Sequence, residues 1–186
     1  MKYIFEIIWI SWLLSEIFLN RLVRSKSTNS KELDKNSLKL IWIAIVVSMT
    51  LGILNAIYWP APMIRTNFLL YLGSILITVG MLIRFIAIGT LGKFFTVNLA
   101  IHGDQSLIKT GLYKYIRHPS YSGSLVSFMG FGLSLNNWLS LIIIIIPIII
   151  TMINRINIEE RLLLEVFGTE YEEYKKRTRR LIPMIY

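Results

Sequence analysis

Trp138-Leu-Ser-Leu-Ile-Ile-Ile-Ile-Ile-Pro147-Ile-Ile-Ile-Thr-Met-Ile-Asn154 carries no charged side chain, and its reading decides the fold. As a strand it would leave an open sheet edge, which hydrocarbon cannot satisfy. As a helix it pairs its own backbone groups. Isoleucine is a modest helix former in water, but in lipid that backbone requirement dominates. Pro147 removes one N–H and is expected to kink the helix. Just upstream, across Asn136-Asn137, lies another apolar stretch, Tyr121–Leu135. Two asparagines favour a turn, so the pair reads as a tight helical hairpin. A bilayer core of about 30 Å takes about 20 helical residues to cross. Both arms are shorter, so the hairpin is expected to tilt or to cross incompletely.

Working outward, Leu38–Trp59 and Asn67–Gly89 are long enough to span. Tyr3–Leu19 is shorter and holds Glu6 and Glu16. It has one Lys before it and no small-residue cleavage site after it, so it reads as a retained helix rather than a signal peptide. Its acids are expected to face other helices or an interface. The prediction is an all-α integral membrane protein of about five transmembrane helices, including the short hairpin, with a C-terminal helical segment. It is expected to be one domain over 1–186, with three membrane helices in 1–90 and the hairpin and polar segments in 91–186.

Composition agrees. Of 186 residues, 54% are hydrophobic and 17% charged, against about 25% charged in a soluble domain. That argues against a soluble enzyme and against a disordered chain. The absence of Cys excludes disulfides, thiol nucleophiles and Cys-ligated metal. His102 and His118 are too few for a usual zinc catalyst, so no metal is expected. The net charge of +9 is explained by placement. Arg21, Arg24, Lys26, Lys31 and Lys35 lie between the first two apolar stretches, with Lys39 at the very start of the second, and only Arg65 lies in the next connection. Lys93, Lys109, Lys114 and Arg117 follow the third stretch, and the Asn-Asn turn has none. The tail holds Arg155, Arg161, Lys175, Lys176, Arg177, Arg179 and Arg180. This alternation is the positive-inside pattern, with the N-terminus outside and the tail in the cytoplasm. It also favours anionic head groups. Nothing shows the basic face interleaved with exposed aromatics that nucleic-acid binding requires.

Two polar segments therefore fall on one side, Gly89–Ser120 and Arg155–Tyr186, and any active site is expected where they meet. Gly111 permits a positive-φ turn or a close backbone approach. Pro119 suits the first turn of a helix, whose free N–H groups favour a carboxylate or phosphate. The plainer alternative is a loop that simply feeds a membrane helix. Taken singly, His118 is as readily an interfacial hydrogen-bonding residue as a ring packed on a cofactor. Tyr113 and Tyr121 singly read as interfacial belt residues, and His102 as a solvated loop residue. Arg155 and Glu159 are spaced to share a helix face. On a soluble helix such a pair is worth about 0–1 kcal/mol, but here it directly follows an apolar helix, with Glu160 beside it. After a break at Gly168, Thr169–Arg177 reads as a second amphipathic helix, acids first and cations last. Arg179 and Arg180, before Leu181-Ile182-Pro183, read as a membrane-surface anchor.

The motif Gly111-x-Tyr113-x-x-x-Arg117-His118-Pro119-x-Tyr121-x-Gly123, then Glu159-Glu160, then Phe167-Gly168-x-x-Tyr171-x-x-Tyr174, then Arg180-x-x-Pro183, resembles the isoprenylcysteine carboxyl methyltransferase family. That family belongs with the membrane phospholipid methyltransferases. The likeness runs from Leu107 to Pro183; the earlier residues share only membrane helices. It implies a membrane enzyme using S-adenosylmethionine, with the cofactor between the Arg-His-Pro and Glu-Glu segments at the cytoplasmic face and a lipid-side opening. By the same resemblance, Leu107, Ile108, Gly111, Tyr113, His118, Pro119, Tyr121 and Glu159 would line the cofactor site. Arg155 and Glu160 would face the substrate. The acceptor would be a lipophilic or prenylated molecule, chiefly a prenylcysteine carboxylate. A phospholipid amine or a small thiol stay open as acceptors. An NADPH-dependent membrane reductase and a non-enzymatic membrane module are the competing classes. The minimal loops favour a prokaryotic cell membrane.

Overall fold

The computed structural model describes residues 2–25, 32–34, 36–92, 99–100 and 106–182. The helices are α1 (Lys2–Ser25), α2 (Asn36–Tyr58), α3 (Phe68–Leu91), α4 (Pro119–Ser134), α5 (Trp138–Phe167) and α6 (Thr169–Arg177), with a short 3-10 turn at Gly111–Lys114. Among the described residues α2, α3 and α5 are long and apolar enough to cross a membrane. The architecture is that of a helical integral membrane protein. α4 has 16 residues, short for a full crossing, as its sequence implied.

Three details differ from the sequence reading. α1 runs on to Ser25, beyond the apolar stretch. α5 does not end at Asn154 but continues as one helix to Phe167, with Pro147 inside it. Thr151 Oγ1 bonds back to the Pro147 and Ile148 carbonyls at 2.9 and 3.1 Å. The reason α5 continues lies in its residues: Arg155–Phe167 holds good helix formers and no Gly or Pro, so nothing stops the helix before Gly168. Finally, the chain is not wholly helical. Strand β1 (Glu32–Asp34) pairs antiparallel with β2 (Leu99–Ala100), Glu32 opposite Ala100. These short extended pieces satisfy each other's backbone where two connections meet at one end of the bundle.

Two antiparallel helix pairs build the bundle. Along α3 and α4, Gly73 and Gly80 face Gly130 and Gly123. A Cβ on Gly123 would lie 2.6 Å from the Gly80 carbonyl oxygen, and one on Gly130 2.6 Å from that of Gly73. Each helix spaces its glycines two turns apart, so one face lets the backbones touch. Ser127 Oγ donates across this seam to the Ile77 carbonyl at 3.2 Å. Between α2 and α5, Ser140 Oγ donates to the Gly52 carbonyl at 2.8 Å, and Asn55 Nδ2 reaches Asn137 Oδ1 and Ser140 Oγ at 3.1 and 3.0 Å. Trp12 of α1 meets Phe128 edge-on at 5.0 Å, and Trp9 stacks on Phe131 at 5.1 Å. These rings, with Met49, Ile77, Ile144, Ile148 and Met152, form the core. Many remaining apolar side chains, including Val46, Ile75, Leu82 and Ile146, are exposed, as a lipid-facing surface requires.

The predicted Asn-Asn turn is present. Asn136 takes φ 50°, and Asn137 caps α5 by accepting from the Ser140 amide. The Asn136 side chain accepts from the Met63 and Ile64 amides at 3.1 and 3.2 Å, tying this turn to the α2–α3 connection. The opposite end of the bundle holds the β1–β2 ribbon, the 3-10 turn, the start of α4 and α6.

Candidate active site

At that end, α4 begins with Pro119 as its first residue, after His118. The proline's missing N–H costs nothing there. The 3-10 turn before it opens on Gly111 at φ 59°, the left-handed turn that its sequence position suggested. The tail lies alongside as a short parallel bridge between Ile116 and Arg179. The Arg117 amide donates to the Arg179 carbonyl at 2.7 Å, and the His118 amide to that of Arg180 at 3.0 Å. Ser122 Oγ adds a bond to the Leu181 carbonyl at 2.6 Å. The first turn of α4 is thus held by backbone some 60 residues away.

The two adjacent acids of α5 point to different partners, because neighbours on a helix face about 100° apart. Glu160 is buried and fully engaged. Arg117 Nε is 2.8 Å from its Oε1, Arg180 Nη2 is 2.7 Å from its Oε2, and His118 Nε2 lies 3.4 Å from Oε1. Arg117 also donates to the Thr178 carbonyl at 2.6 Å. Glu159 is more open, its side chain 26% exposed against 6% for Glu160. Its Oε2 accepts from the Tyr121 hydroxyl at 3.1 Å. Its Oε1 has His118 Nδ1 at 3.8 Å, beyond hydrogen-bond reach. Arg155, one turn earlier on the Glu159 face, is buried. Its Nε donates to the Tyr121 hydroxyl at 3.0 Å and its Nη1 to Ser37 Oγ of α2 at 2.7 Å. Tyr121 therefore bridges Arg155 and Glu159.

Tyr113 is buried, and its hydroxyl donates to the Ala87 carbonyl of α3 at 3.4 Å. Its own carbonyl accepts from the Tyr174 hydroxyl at 2.7 Å. Burial pushes the Tyr174 hydroxyl up to about 12 and raises that of Tyr113 further, so both remain neutral donors. Burial also raises Tyr171, whose hydroxyl has no hydrogen-bond partner among the described residues.

The structure brings together His118, Pro119, Tyr121, Arg155, Glu159 and Glu160. It places Tyr113 in the support between α3 and α6. Leu107 and Ile108 are half-buried on the approach to the turn, and Gly111 sits against Thr90 of α3. Next to them, Lys109 pairs with Glu170 of α6 at 2.7 Å on the surface. His102 and Pro183 lie outside the described residues. The sequence reading gave no site role to Ser37 or Thr178, nor to Arg84, which bonds to Ser120 and Ser124. Arg84 was the findable one: a cation inside a predicted membrane helix is itself a signal.

The chain resembles known proteins in sequence and in fold. The family described as phospholipid methyltransferase matches residues 68–170. A protein-S-isoprenylcysteine O-methyltransferase of Saccharomyces cerevisiae is 39% identical over 66% of this chain and 52% of its own length. Protein-S-isoprenylcysteine O-methyltransferase B of Arabidopsis thaliana is 30% identical over 77% of this chain and 73% of its own. A solved structure of the eukaryotic intramembrane Ras methyltransferase, isoprenylcysteine carboxyl methyltransferase, superposes with TM-score 0.62 and 30% identity. That match covers 77% of this chain and 52% of that one. The chain spans about half the length of the Saccharomyces relative. The matched region contains the start of α4, both acids of α5 and the glycine seam, and the chain belongs to the isoprenylcysteine carboxyl methyltransferase family within the phospholipid methyltransferases.

Proposed function

We propose that this chain is a methyltransferase that uses S-adenosylmethionine to methylate a prenylated cysteine carboxylate, or a similar lipid-linked acceptor, within the membrane. Its site faces the cytoplasm, a reading supported by the cation-rich connections on that side, and the membrane is a cell membrane. One observation carries the reading. His118 and Tyr121 at the start of α4, and Arg155 and Glu159 far along α5, converge at one end of an apolar helix bundle, beside lipid.

The residues fit the donor's chemistry. Glu159 retains acceptor capacity for an ammonium or ribose hydroxyls, since its Oε1 lacks a hydrogen bond among the described residues. The start of α4 offers amide N–H groups for a carboxylate. Bound there, S-adenosylmethionine supplies a methyl group made electrophilic by its sulfonium. Arg155 would orient an acceptor carboxylate through its guanidinium. A carboxylate acceptor has no proton to lose, so this chain needs no general base. Holding donor and acceptor aligned away from water then contributes most of the acceleration. Glu160 already holds two guanidinium groups and the His118 ring, so we assign it to fixing the site rather than to substrate.

A phospholipid amine is the second reading, favoured by the family match over residues 68–170. The test supplies radiolabelled donor to the purified protein in lipid, with an S-farnesylcysteine derivative or phosphatidylethanolamine. Base-labile label on the farnesylcysteine is expected, as for a methyl ester. Label confined to the phospholipid, or no transfer at all, would overturn the primary reading.

A further inference from the structure

A carboxyl and a guanidinium meet within the helix bundle, apart from the acids of α5. Arg84 Nη2 of α3 lies 3.0 Å from Glu16 Oε2 of α1, with the two side chains 18% and 13% exposed. Taking an acid and a guanidinium out of water is costly, and a well-packed apolar pair commonly does as well for stability. What the pair grips therefore matters. Arg84 Nη1 donates to Ser124 Oγ at 2.6 Å, to Ser120 Oγ at 3.1 Å and to the Ser120 carbonyl at 3.3 Å. All three acceptors lie in the first two turns of α4, beginning two residues after His118. The packing there has no slack. A Cβ on Gly123 would fall 2.8 Å from the Arg84 backbone nitrogen.

Further along, α1 meets α4 through the rings of Trp9 and Trp12 on Phe128 and Phe131. The bonds from the Arg84 guanidinium to three oxygens add a directional constraint at the start of α4. We infer that Glu16 and Arg84 are positioning residues. Glu16 fixes the Arg84 guanidinium, and Arg84 fixes the height and rotation of the first turn of α4, which carries His118 and Tyr121 into the site. α1 lies outside the residues matched to the family, so this device ties a helix beyond that match to the site. Only the ligand-affinity readout below rests on the proposed function.

The test compares wild type and Glu16→Gln in lipid nanodiscs by hydrogen–deuterium exchange and by calorimetric binding of S-adenosylhomocysteine. Glu16→Gln is expected to speed amide exchange within the segment 119–125, whose exchanging amides are those of 120–125, and to weaken binding by about threefold to thirtyfold, with the thermal midpoint close to wild type. Unchanged exchange at 119–125 overturns the inference. So does local loosening with unchanged affinity, or exchange that rises across the whole chain with a matching fall in midpoint. Should Glu16→Gln not fold, Ser124→Ala removes the shortest Arg84 bond without touching a charge and is read the same way. If wild type binds no S-adenosylhomocysteine, the proposed function fails, while the exchange at 119–125 still decides the inference.

Discussion

His118 Nε2 lies 3.4 Å from Glu160 Oε1, although the two residues are 42 apart in the chain. That contact joins the segment leading into α4 with the polar extension of α5. It works through a carboxylate whose two oxygens are shared among α4, α5 and the tail. The convergence is what makes a site possible here, since the start of α4 comes from one polar segment and the Glu159-Glu160 pair from the other.

Glu160→Ala should destabilise the protein as well as silence it. It leaves Arg117 and Arg180 facing each other without their shared counter-charge. Removing one partner of a buried ionic cluster costs about 3–5 kcal/mol. A lowered thermal midpoint in detergent, together with lost methyl transfer, is the expected result. A variant that folds with wild-type stability but has no activity would return Glu160 to a role at the substrate.

Glu159→Gln should separate from Glu160→Ala. Its side chain is partly open, and a glutamine can keep the Tyr121 hydroxyl bond. The midpoint should change little, while affinity for S-adenosylhomocysteine falls about tenfold or more, the scale of a lost charge-assisted hydrogen bond. Calorimetry beside a melting curve checks both halves.

Gly80→Ala tests the seam. The added methyl would run into the Gly123 carbonyl and Ser127 on α4. Overpacking of this kind costs about 1–3 kcal/mol. By contrast, Gly89→Ala, where a Cβ meets nothing within 4 Å, should be neutral or slightly stabilising. Paired melting curves decide it.

The Tyr174 clamp predicts an alkaline effect. Its hydroxyl ionises near 12 in the folded protein, against about 10 for a free tyrosine. A raised value means that its stabilisation is complete below about pH 10 and is lost as pH rises toward 12. Tyr174→Phe should remove part of that alkaline loss. It should also cost about 1 kcal/mol at neutral pH, because the Tyr113 carbonyl loses its donor. Tyrosinate absorbance against pH, compared between the two proteins, gives the measurement.

Much of this was legible in the sequence because it is local. Uninterrupted apolar runs give membrane helices, Asn136-Asn137 gives a turn, Gly111 a left-handed residue, and Pro119 a helix start. Where the reading stopped short, a local cue was overruled. The apolar run ends at Asn154 and the charge at Arg155 suggests a boundary there, but good helix formers carry α5 on to Phe167. The rest is long-range. The Ile116–Arg179 bridge, the Asn55–Asn137 bond and the Glu16–Arg84 pair join residues whose separation no periodicity encodes. The unequal surroundings of Glu159 and Glu160 depend on what approaches α5 from the tail, which the Glu-Glu dipeptide alone does not reveal.

Titration of S-adenosylhomocysteine and, separately, NADPH into the purified protein, and into its Glu159→Gln variant, tests the donor site most directly. Wild type should bind one equivalent of S-adenosylhomocysteine, the variant should bind it clearly more weakly, and NADPH should give no heat. Binding of NADPH alone, or S-adenosylhomocysteine affinity indifferent to Glu159, would contradict this.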